Sequence, residues 1–269
     1  MSEPSRRLHL KAALRAAVAF ALAGGAFAAH AIDLRVLSGG AVEPGMRPAL
    51  AAFERQSGHT VQISFAAAPE LRAALRLPAT ADVIVAPRAV LDSAAAAGSP
   101  PPAGVIASIG LVGVGVAVRA GAERPDITSA ETLKTELASA DAVVYNRAST
   151  GLWIETVLQR LGMADAVQPK AVRVPDGAGV MRRLLTGTAR REIGFAAMTE
   201  IVLFRDQGIQ LVGPLPPPLQ NLTRYVALPW PGAPAADAAR TEAVAALMRH
   251  LQGNEARAIF VNAGIEPPP

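Results

Sequence analysis

Short apolar segments rich in branched residues alternate with amphipathic segments along most of the chain. The first apolar segment covers residues 33–37, and the segment after it places Met46, Leu50 and Phe53 at the spacing of one helix face. A turn containing two glycines separates them. The pattern predicts a strand, a turn and a helix in succession.

The same alternation continues to the end of the chain. We predict strands over residues 33–37, 60–65, 81–86, 142–145, 171–174, 192–197, 209–212 and 225–228. We predict helices over residues 46–55, 70–77, 88–97, 128–138, 151–161, 180–186, 235–253 and 254–263, with a turn at 177–179 and irregular structure at 213–218. Thr128 and Glu131 have the spacing of a capping box. Repeated strand and helix alternation predicts parallel sheets with helices on both faces.

A glycine-studded apolar run at residues 105–118 interrupts the alternation. A membrane helix needs about 20 apolar residues, and glycine is frequent here, so long strands crossing between two lobes fit better. The predicted fold class is therefore α/β and two-lobed, each lobe a mainly parallel sheet flanked by helices, with two hinge crossings. We predict one lobe from residues 32–115 and 226–269, and a second from residues 116–225.

The N-terminal segment has the layout of an export signal. Basic residues precede an uncharged apolar stretch at 16–29, and Ala29, His30 and Ala31 form a small-x-small cleavage pattern. We predict that residues 1–31 are removed and that the protein is periplasmic. Ser5 to Lys11 resembles the twin-arginine motif, and the ordinary secretory route is the alternative. The segment could also be an N-terminal membrane anchor that is not cleaved, or a short buried helix.

Composition excludes several classes of protein. Hydrophobic residues make up 51% and charged residues 18%, so the chain is globular, and the absence of cysteine excludes a disulfide scaffold and thiolate metal sites. The formal net charge is +4, but the predicted signal carries much of the excess positive charge. No clustered positive charge remains to indicate nucleic-acid binding.

The sequence does not favour catalysis. Beyond the predicted signal it has two histidines, His59 and His250, which we predict to be surface residues. It lacks a nucleophile elbow, a zinc-binding His-Glu-x-x-His helix, a Walker lysine and clustered metal ligands. We therefore predict a binding protein that is not an enzyme, with no cofactor and no metal. An exported hydrolase or transferase with scattered catalytic groups is the alternative, and a sensory binding module is another.

Two turns between predicted strands and helices are candidate anion sites. Ser38 to Ala41 and Asn146 to Thr150 lie where unpaired backbone N–H groups and the helix dipole attract negative charge. The guanidinium of Arg147 could bind a carboxylate or phosphate through two hydrogen bonds. Ordinary strand-to-helix loops with capping residues are the alternative interpretation.

Three further residues have competing interpretations. Trp153 follows the second turn closely and is either a lobe-core anchor, which we favour, or a cover for the ligand. Trp230 is predicted to brace the loop after the second crossing. Thr199 is either a ligand donor or a helix N-cap.

Four segments in order, residues 32–48, 81–87, 142–151 and 192–201, resemble the periplasmic solute-binding proteins of ABC importers, in particular the molybdate-binding group. The resemblance covers nearly all of the chain after the signal. It implies a two-lobed venus-flytrap fold that binds a small anion between its lobes and hands it to a membrane permease. We expect a monomer.

The same resemblance implies donor residues that this sequence lacks. Molybdate binders are expected to offer a serine hydroxyl from each of the first two turns and a tyrosine from the late strand, whereas the matching residues here are Ala41, Ala68 and Ala197. This departure argues against tight molybdate binding, since a lost bond to a charged group costs about 1.5–3 kcal/mol. An inorganic oxyanion, an organic carboxylate and a phosphonate stay open as ligands. The predicted ligand contacts are Ser38, Gly39, Gly40, Ala41, Ala67, Ala68, Arg147, Ala148, Ser149, Thr150, Gly177, Ala178, Met198 and Thr199.

Overall fold

The computed structural model describes residues 31–78, 80–98, 105–230 and 237–267. Apart from Ala31, the predicted export signal lies outside the described residues, and so does the start of the helix predicted from residue 235. Within these described ranges, no helix is both long and apolar enough to cross a membrane.

The described part of the chain forms ten strands and ten α-helices. The strands are β1 (Asp33–Gly39), β2 (Thr60–Ala66), β3 (Val83–Pro87), β4 (Ala107–Val112), β5 (Val114–Arg119), β6 (Ala142–Asn146), β7 (Ala171–Val174), β8 (Glu192–Ala197), β9 (Ile209–Pro214) and β10 (Thr223–Pro229). The helices are α1 (Glu43–Ser57), α2 (Ala68–Ala74), α3 (Arg88–Ala96), α4 (Ala130–Ser139), α5 (Ser149–Arg160), α6 (Ala164–Val167), α7 (Gly177–Thr186), α8 (Met198–Leu203), α9 (Ala238–Gln252) and α10 (Asn254–Asn262).

Two five-stranded sheets organise these elements into two lobes. The first sheet has the order β2-β1-β3-β10-β4 and the second β7-β6-β8-β5-β9. In each sheet the first three strands are parallel, because helices connect them, and the last two run antiparallel to their neighbours. The two-lobed α/β fold class is confirmed, with sheets that are mixed because β10 in the first sheet and β5 in the second run opposite to the other four strands.

The apolar run at residues 105–118 is divided at Gly113. Strand β4 before it belongs to the first sheet and β5 after it to the second. The chain returns through the segment between β9 and β10, and all of β10 from Thr223 pairs in the first sheet. The lobe boundaries at residues 115 and 225 stay predictions.

Both faces of each sheet are covered by helices. Strands β3, β6 and β8 are buried along their whole length, as expected for strands packed on both faces. In the first lobe, one core contains Phe53 and Leu247 from α1 and α9, and the opposite core contains Leu71 and Trp230. The second lobe likewise has one core around α4 and α5 and another around α7 and α8. The sheets thereby hold the loops at their ends in fixed positions.

Three local predictions were wrong. Helix α4 is capped by Ser129, whose hydroxyl accepts from the Thr132 N–H at 3.1 Å, so the capping box begins one residue after Thr128. Residues 177–179 form the first turn of α7, because the Asp176 side chain caps that helix. Strand β9 continues to Pro214, and Pro217–Leu219 form a short 3₁₀ helix where irregular structure was predicted.

The two histidines are structural rather than free surface residues. Both are half-buried. The Nδ1 atom of His59 accepts from the Ile32 N–H at 3.3 Å, and Nε2 of His250 lies 2.9 Å from the Ala49 carbonyl oxygen. Both rings also pack near Phe53. They help to attach α1 to its surroundings, which the sequence pattern did not reveal.

Candidate functional site

A cavity of about 210 Å³ lies between the two lobes, at the carboxyl ends of their parallel strands. Gly39, Ala66 and Pro87, the last residues of β1, β2 and β3, line it from the first lobe. Asn146, the last residue of β6, and Asp176, just after β7, line it from the second. Open α/β sheets generally bind ligands at such strand ends.

Two long helices of the second lobe begin at the cavity. Ser149 and Thr150 are the first two residues of α5, and Gly177 and Ala178 are the first two of α7; all four line the cavity. Backbone N–H groups in these positions have no acceptor inside their own helix, and they lie at its positive end. The hydroxyls of Ser149 and Thr150 add further donors. This wall of the cavity is therefore suited to an anion.

Asn146 fixes the start of α5. Its side chain is 2% exposed, and its Oδ1 atom accepts from the N–H groups of Ala148 at 3.0 Å and Gly151 at 2.9 Å. A Cβ on Gly151 would overlap the Asn146 carbonyl group, so glycine is needed for this close approach. These bonds hold the start of α5, with Ser149 and Thr150, at the cavity.

The charged side chains that line the cavity are acidic: Glu43, Asp176 and Glu200. Glu43 forms an ion pair with Arg47, with its Oε1 2.6 Å from Nε. Asp176 accepts from the Gly179 N–H at 2.6 Å and lies 3.5 Å from a guanidinium nitrogen of Arg182. Glu200, in contrast, has no cationic partner among the described residues.

Glu200 is a half-buried acid at the centre of this arrangement. Burial raises the pKa of the Glu200 carboxyl to about 7; the hydrogen bond from the Ala197 N–H opposes the shift, and the charges of Asp176 and Glu43 reinforce it. The Ala197 nitrogen lies 3.2 Å from Oε2. Near neutral pH the carboxyl exists in both protonation states, so it can donate to an anion or exchange a proton with a ligand.

Tyr225 approaches the cavity from β10 in the first lobe. Its ring packs on β1, since a Cβ added to Gly39 would lie 2.9 Å from Cε1 of Tyr225. Burial raises the pKa of the Tyr225 hydroxyl above its ordinary value, and the charge of Glu200 acts in the same direction. The hydroxyl therefore keeps its proton and is available as a donor.

Apolar side chains complete the lining. Phe65 and Leu71 contribute from the first lobe, and Leu203 and Phe204 from the second. Leu203 is 50% exposed.

The structure brings most of the predicted contact residues together. Ten of them line the cavity: Gly39, Gly40, Ala41, Ala67, Ala68, Ala148, Ser149, Thr150, Gly177 and Ala178. Sequence reasoning missed Asn146 as a supporting residue, and it missed Glu43, Asp176, Glu200, Tyr225 and the apolar lining.

Ser38 and Arg147 do not line the cavity. Ser38 is fully buried and its hydroxyl donates to the Gly39 carbonyl oxygen at 3.1 Å. Arg147 is exposed, and its backbone N–H donates to the Val174 carbonyl oxygen at 2.9 Å. Arg147 is not among the residues that line the cavity, so the geometry provides no support for guanidinium binding there.

Met198 and Thr199 do not line the cavity either. The Met198 side chain packs on β5, where a Cβ at Gly115 would lie 3.0 Å from its Cγ. Thr199 is fully buried in α8, and its hydroxyl donates to the Ala41 carbonyl oxygen of the other lobe. Thr199 is not the N-cap: it is the second residue of α8, after the N-cap position at Ala197, and its hydroxyl joins the lobes. Its role as a ligand donor stays a prediction.

The two tryptophans are structural. Trp153 packs on the core of the second lobe, and its indole N–H donates to the Leu219 carbonyl oxygen at 2.9 Å. Trp230 is 2% exposed in a core of the first lobe, and its backbone N–H donates to the Asp82 carbonyl oxygen at 2.9 Å. Neither ring contributes to the cavity.

The three alanines that replace expected donors have different positions. Ala41 and Ala68 line the cavity, whereas Ala197 is buried against the core of the first lobe. A tyrosine does reach the cavity, but it is Tyr225 of β10. Within the described ranges, no group of three or more acidic or histidine side chains is placed to hold a metal ion.

Solved structures share this two-lobed architecture. The periplasmic molybdate-binding protein of Azotobacter vinelandii superimposes with a TM-score of 0.67 at 19% identity, covering 88% of this chain and all (100%) of that one. The substrate-binding domain of a molybdenum ABC transporter from Clostridium difficile gives 0.65 at 13% identity, covering 89% and 100%. A sulfate-binding protein of Mycobacterium tuberculosis gives 0.61 at 15% identity, covering 88% and 87%. The chain thus has the fold of the periplasmic binding proteins.

Residues 34–266 match the family described as bacterial extracellular solute-binding protein, and the chain belongs to that family. The resemblance found in the sequence is thereby confirmed, and membership of an extracellular family implies an exported protein. The chain is also similar to an aconitate isomerase from a Pseudomonas species, with 28% identity over 249 residues that cover 88% of each chain.

Proposed function

We propose that this solute-binding protein captures a small organic carboxylate between its two lobes for delivery to an ABC-type permease. The main support for the proposal is that α5 and α7 both begin at the cavity. There, Ser149, Thr150, Gly177 and Ala178 present N–H groups from two positive helix ends to one enclosed space. Main-chain groups from the Gly39–Gly40 turn face them from the other lobe.

An organic anion fits the lining better than an inorganic oxyanion. Ala41 and Ala68 offer no hydroxyl donors, while Phe65, Leu203 and Phe204 offer apolar contact to a carbon skeleton. A volume of about 210 Å³ corresponds to roughly seven waters at their liquid density, which is more space than one tetrahedral oxyanion fills.

Carboxylates on the cavity wall do not oppose this proposal. Glu43 and Asp176 are each within ion-pair distance of an arginine, and Glu200 takes up a proton near neutral pH. A protonated Glu200 donates a hydrogen bond to an anion instead of repelling it.

The mechanism of capture is closure of the lobes about the two crossings. A ligand that touches both walls has a higher affinity for the closed form and shifts the population toward it. The closed form is then the one a permease recognises. We further propose that the protein is a periplasmic monomer and that residues 1–31 are its export signal. Export would follow the twin-arginine route or ordinary secretion, and nucleic-acid binding has no part in the function.

The test is a ligand panel on the protein without residues 1–31. Thermal unfolding is measured with acetate, succinate, propane-1,2,3-tricarboxylate, molybdate and sulfate, followed by calorimetry. A ligand at 100 times its dissociation constant adds about 2.7 kcal/mol of stability. Stabilisation by carboxylates but not by molybdate or sulfate supports the proposal, and the reverse order contradicts it.

Isomerisation of an unsaturated carboxylate is a second candidate function, which Glu200 and the similarity to an aconitate isomerase favour. The ionised Glu200 would remove a proton from a CH₂ group next to a carbon–carbon double bond. The electron pair would move to form a new double bond, and the same proton, or one exchanged with water, would return to the far carbon. Atoms and charge balance without a cofactor or any redox change.

Turnover separates the two candidates. Proton NMR in heavy water follows cis- and trans-aconitate with the wild-type protein and with Glu200→Gln. Interconversion with deuterium incorporation that Glu200→Gln abolishes supports catalysis. Binding without interconversion leaves capture as the function.

A further inference from the structure

A second groove adjoins the cavity and is lined mainly by residues of the first lobe. It has a volume of about 700 Å³ and shares Ala68, Pro87 and Ser149 with the cavity lining. The two spaces therefore meet at the beginning of α2 and the beginning of α5. A ligand that fills the cavity can extend into the groove without a change in the fold.

The groove differs from the cavity in its charge. Basic side chains are absent from the cavity lining described above, whereas Arg72, Arg88 and Arg224 line the groove. Arg88 is paired with Asp92, with Nε 2.8 Å from Oδ1. No acidic side chain among the described residues lies within ion-pair distance of Arg72 or Arg224, and Arg72 is half-buried.

The positions of these arginines follow from the elements that carry them. Arg72 lies four residues after Ala68 on α2, so both side chains are on the same face of that helix. Arg224 precedes Tyr225 on β10, so the two side chains leave the strand on opposite faces; Tyr225 lines the cavity and Arg224 lines the groove. Both guanidinium groups are thus carried by elements that also form the cavity wall.

We propose that the groove is a subsite for the second or third carboxylate of a polycarboxylate whose first carboxylate occupies the cavity, with Arg72 and Arg224 as its ligands. The proposal rests on the proposed carboxylate-binding function and names its substrate class. Guanidinium groups bind carboxylates through paired N–H donors, and an arginine without an acidic partner gains most from such a ligand.

The experiment compares ligands with one and with several carboxylates. Calorimetry measures the affinity of propane-1,2,3-tricarboxylate, and of propionate and sulfate, for the wild-type protein and for the double variant Arg72→Ala with Arg224→Ala. Propane-1,2,3-tricarboxylate is saturated, so an isomerase could not consume it by moving a double bond. Arg76→Ala is the matched control, because Arg76 is an exposed arginine just after the same helix and does not line the groove.

We expect the double variant to bind propane-1,2,3-tricarboxylate about tenfold or more weakly, with unchanged affinity for propionate and no measurable binding of sulfate to either protein. Arg76→Ala should behave as wild type, and the melting temperatures without ligand should agree. Equal tricarboxylate affinity in the double variant and the wild type would overturn the subsite while leaving carboxylate capture in place. Failure of the wild type to bind any carboxylate would overturn capture itself and the subsite with it.

Discussion

Gly177 and the carboxylate of Glu200 are in such close contact that a side chain at residue 177 would overlap the acid. A Cβ built on Gly177 would coincide with the space of Oε1 and Oε2 of Glu200. Glycine therefore allows the Glu200 carboxylate to approach this closely, while the backbone at this position is ordinary helix. The first turn of α7 and the start of α8 are held together through this contact.

Replacing Gly177 tests that contact. Gly177→Ala is expected to displace the Glu200 carboxylate, and because that carboxylate is the end of a flexible side chain, the free energy of unfolding should fall by no more than about 1 kcal/mol. Urea denaturation measures it. In Gly40→Ala the new Cβ would stand 4.0 Å from Oε1 of Glu200, an ordinary contact, so this control should keep wild-type stability. If the stability of Gly177→Ala kept the wild-type dependence on pH around pH 7, the carboxylate would not have been displaced and the packing described would be contradicted.

The protonation state of Glu200 should control anion binding. With its pKa raised to about 7, the carboxyl is neutral below that pH and charged above it. Anion affinity should therefore fall as pH rises through 7, since the ionised acid repels the ligand beside Glu43 and Asp176. If the bound anion raises the pKa of Glu200 by one unit, the anion affinity changes about tenfold between low and high pH.

Glu200→Gln should remove this pH dependence, because glutamine stays neutral while keeping an acceptor for the Ala197 N–H. Calorimetry between about pH 5.5 and pH 8.5, in buffers of different ionisation enthalpy, measures the affinity and the proton uptake on binding. A wild-type affinity that is flat across this range would show that Glu200 does not face the bound anion.

Folding stability should depend on the same carboxyl. The pKa is higher in the folded protein than the ordinary 4.5, so the folded state binds the proton more tightly. The resulting stabilisation is complete below pH 4.5 and is lost as pH rises through 7. Above pH 7, Glu200→Gln should be more stable than the wild type by up to about 3 kcal/mol. At about pH 4 the two proteins should unfold at the same urea concentration, which provides the internal control.

The fold and the location of the site were readable from the sequence for a common reason. Strand and helix periodicities are local, and an α/β alternation places every strand-to-helix turn at the same edge of a sheet. Gly39 and Ser149 could thus be assigned to one cleft from the order of strands, turns and helices, whereas Ala68 was assigned to it by the resemblance to the molybdate-binding group. The predicted N-cap of α4 was one residue too early, because Thr128 and Ser129 are both suitable capping residues.

The functional side chains were less predictable because their roles depend on distant neighbours. Glu200 and Glu70 occupy equivalent positions, each three residues after the N-cap of its helix. Both accept a hydrogen bond from the N–H of that N-cap residue. Only tertiary packing gives Glu200 its raised pKa. Similarly, the Thr199 hydroxyl is bonded to Ala41 across 158 positions, which no local pattern could indicate.

Gln220 joins the two crossings between the lobes, and its removal should loosen the hinge. Its side chain accepts from the Val114 N–H at 2.9 Å and donates to the Val114 carbonyl oxygen at 3.0 Å. Gln220→Ala should lower the free energy of unfolding by about 1–3 kcal/mol, at roughly 0.5–1.5 kcal/mol for each hydrogen bond, and should shift the lobes toward the open form. Urea denaturation and small-angle X-ray scattering measure the two effects. Gln207→Ala is the control, because Gln207 is exposed and bonds within one lobe to Leu203. If Gln220→Ala scattered and unfolded like Gln207→Ala, the crossings would be held together by their backbones alone.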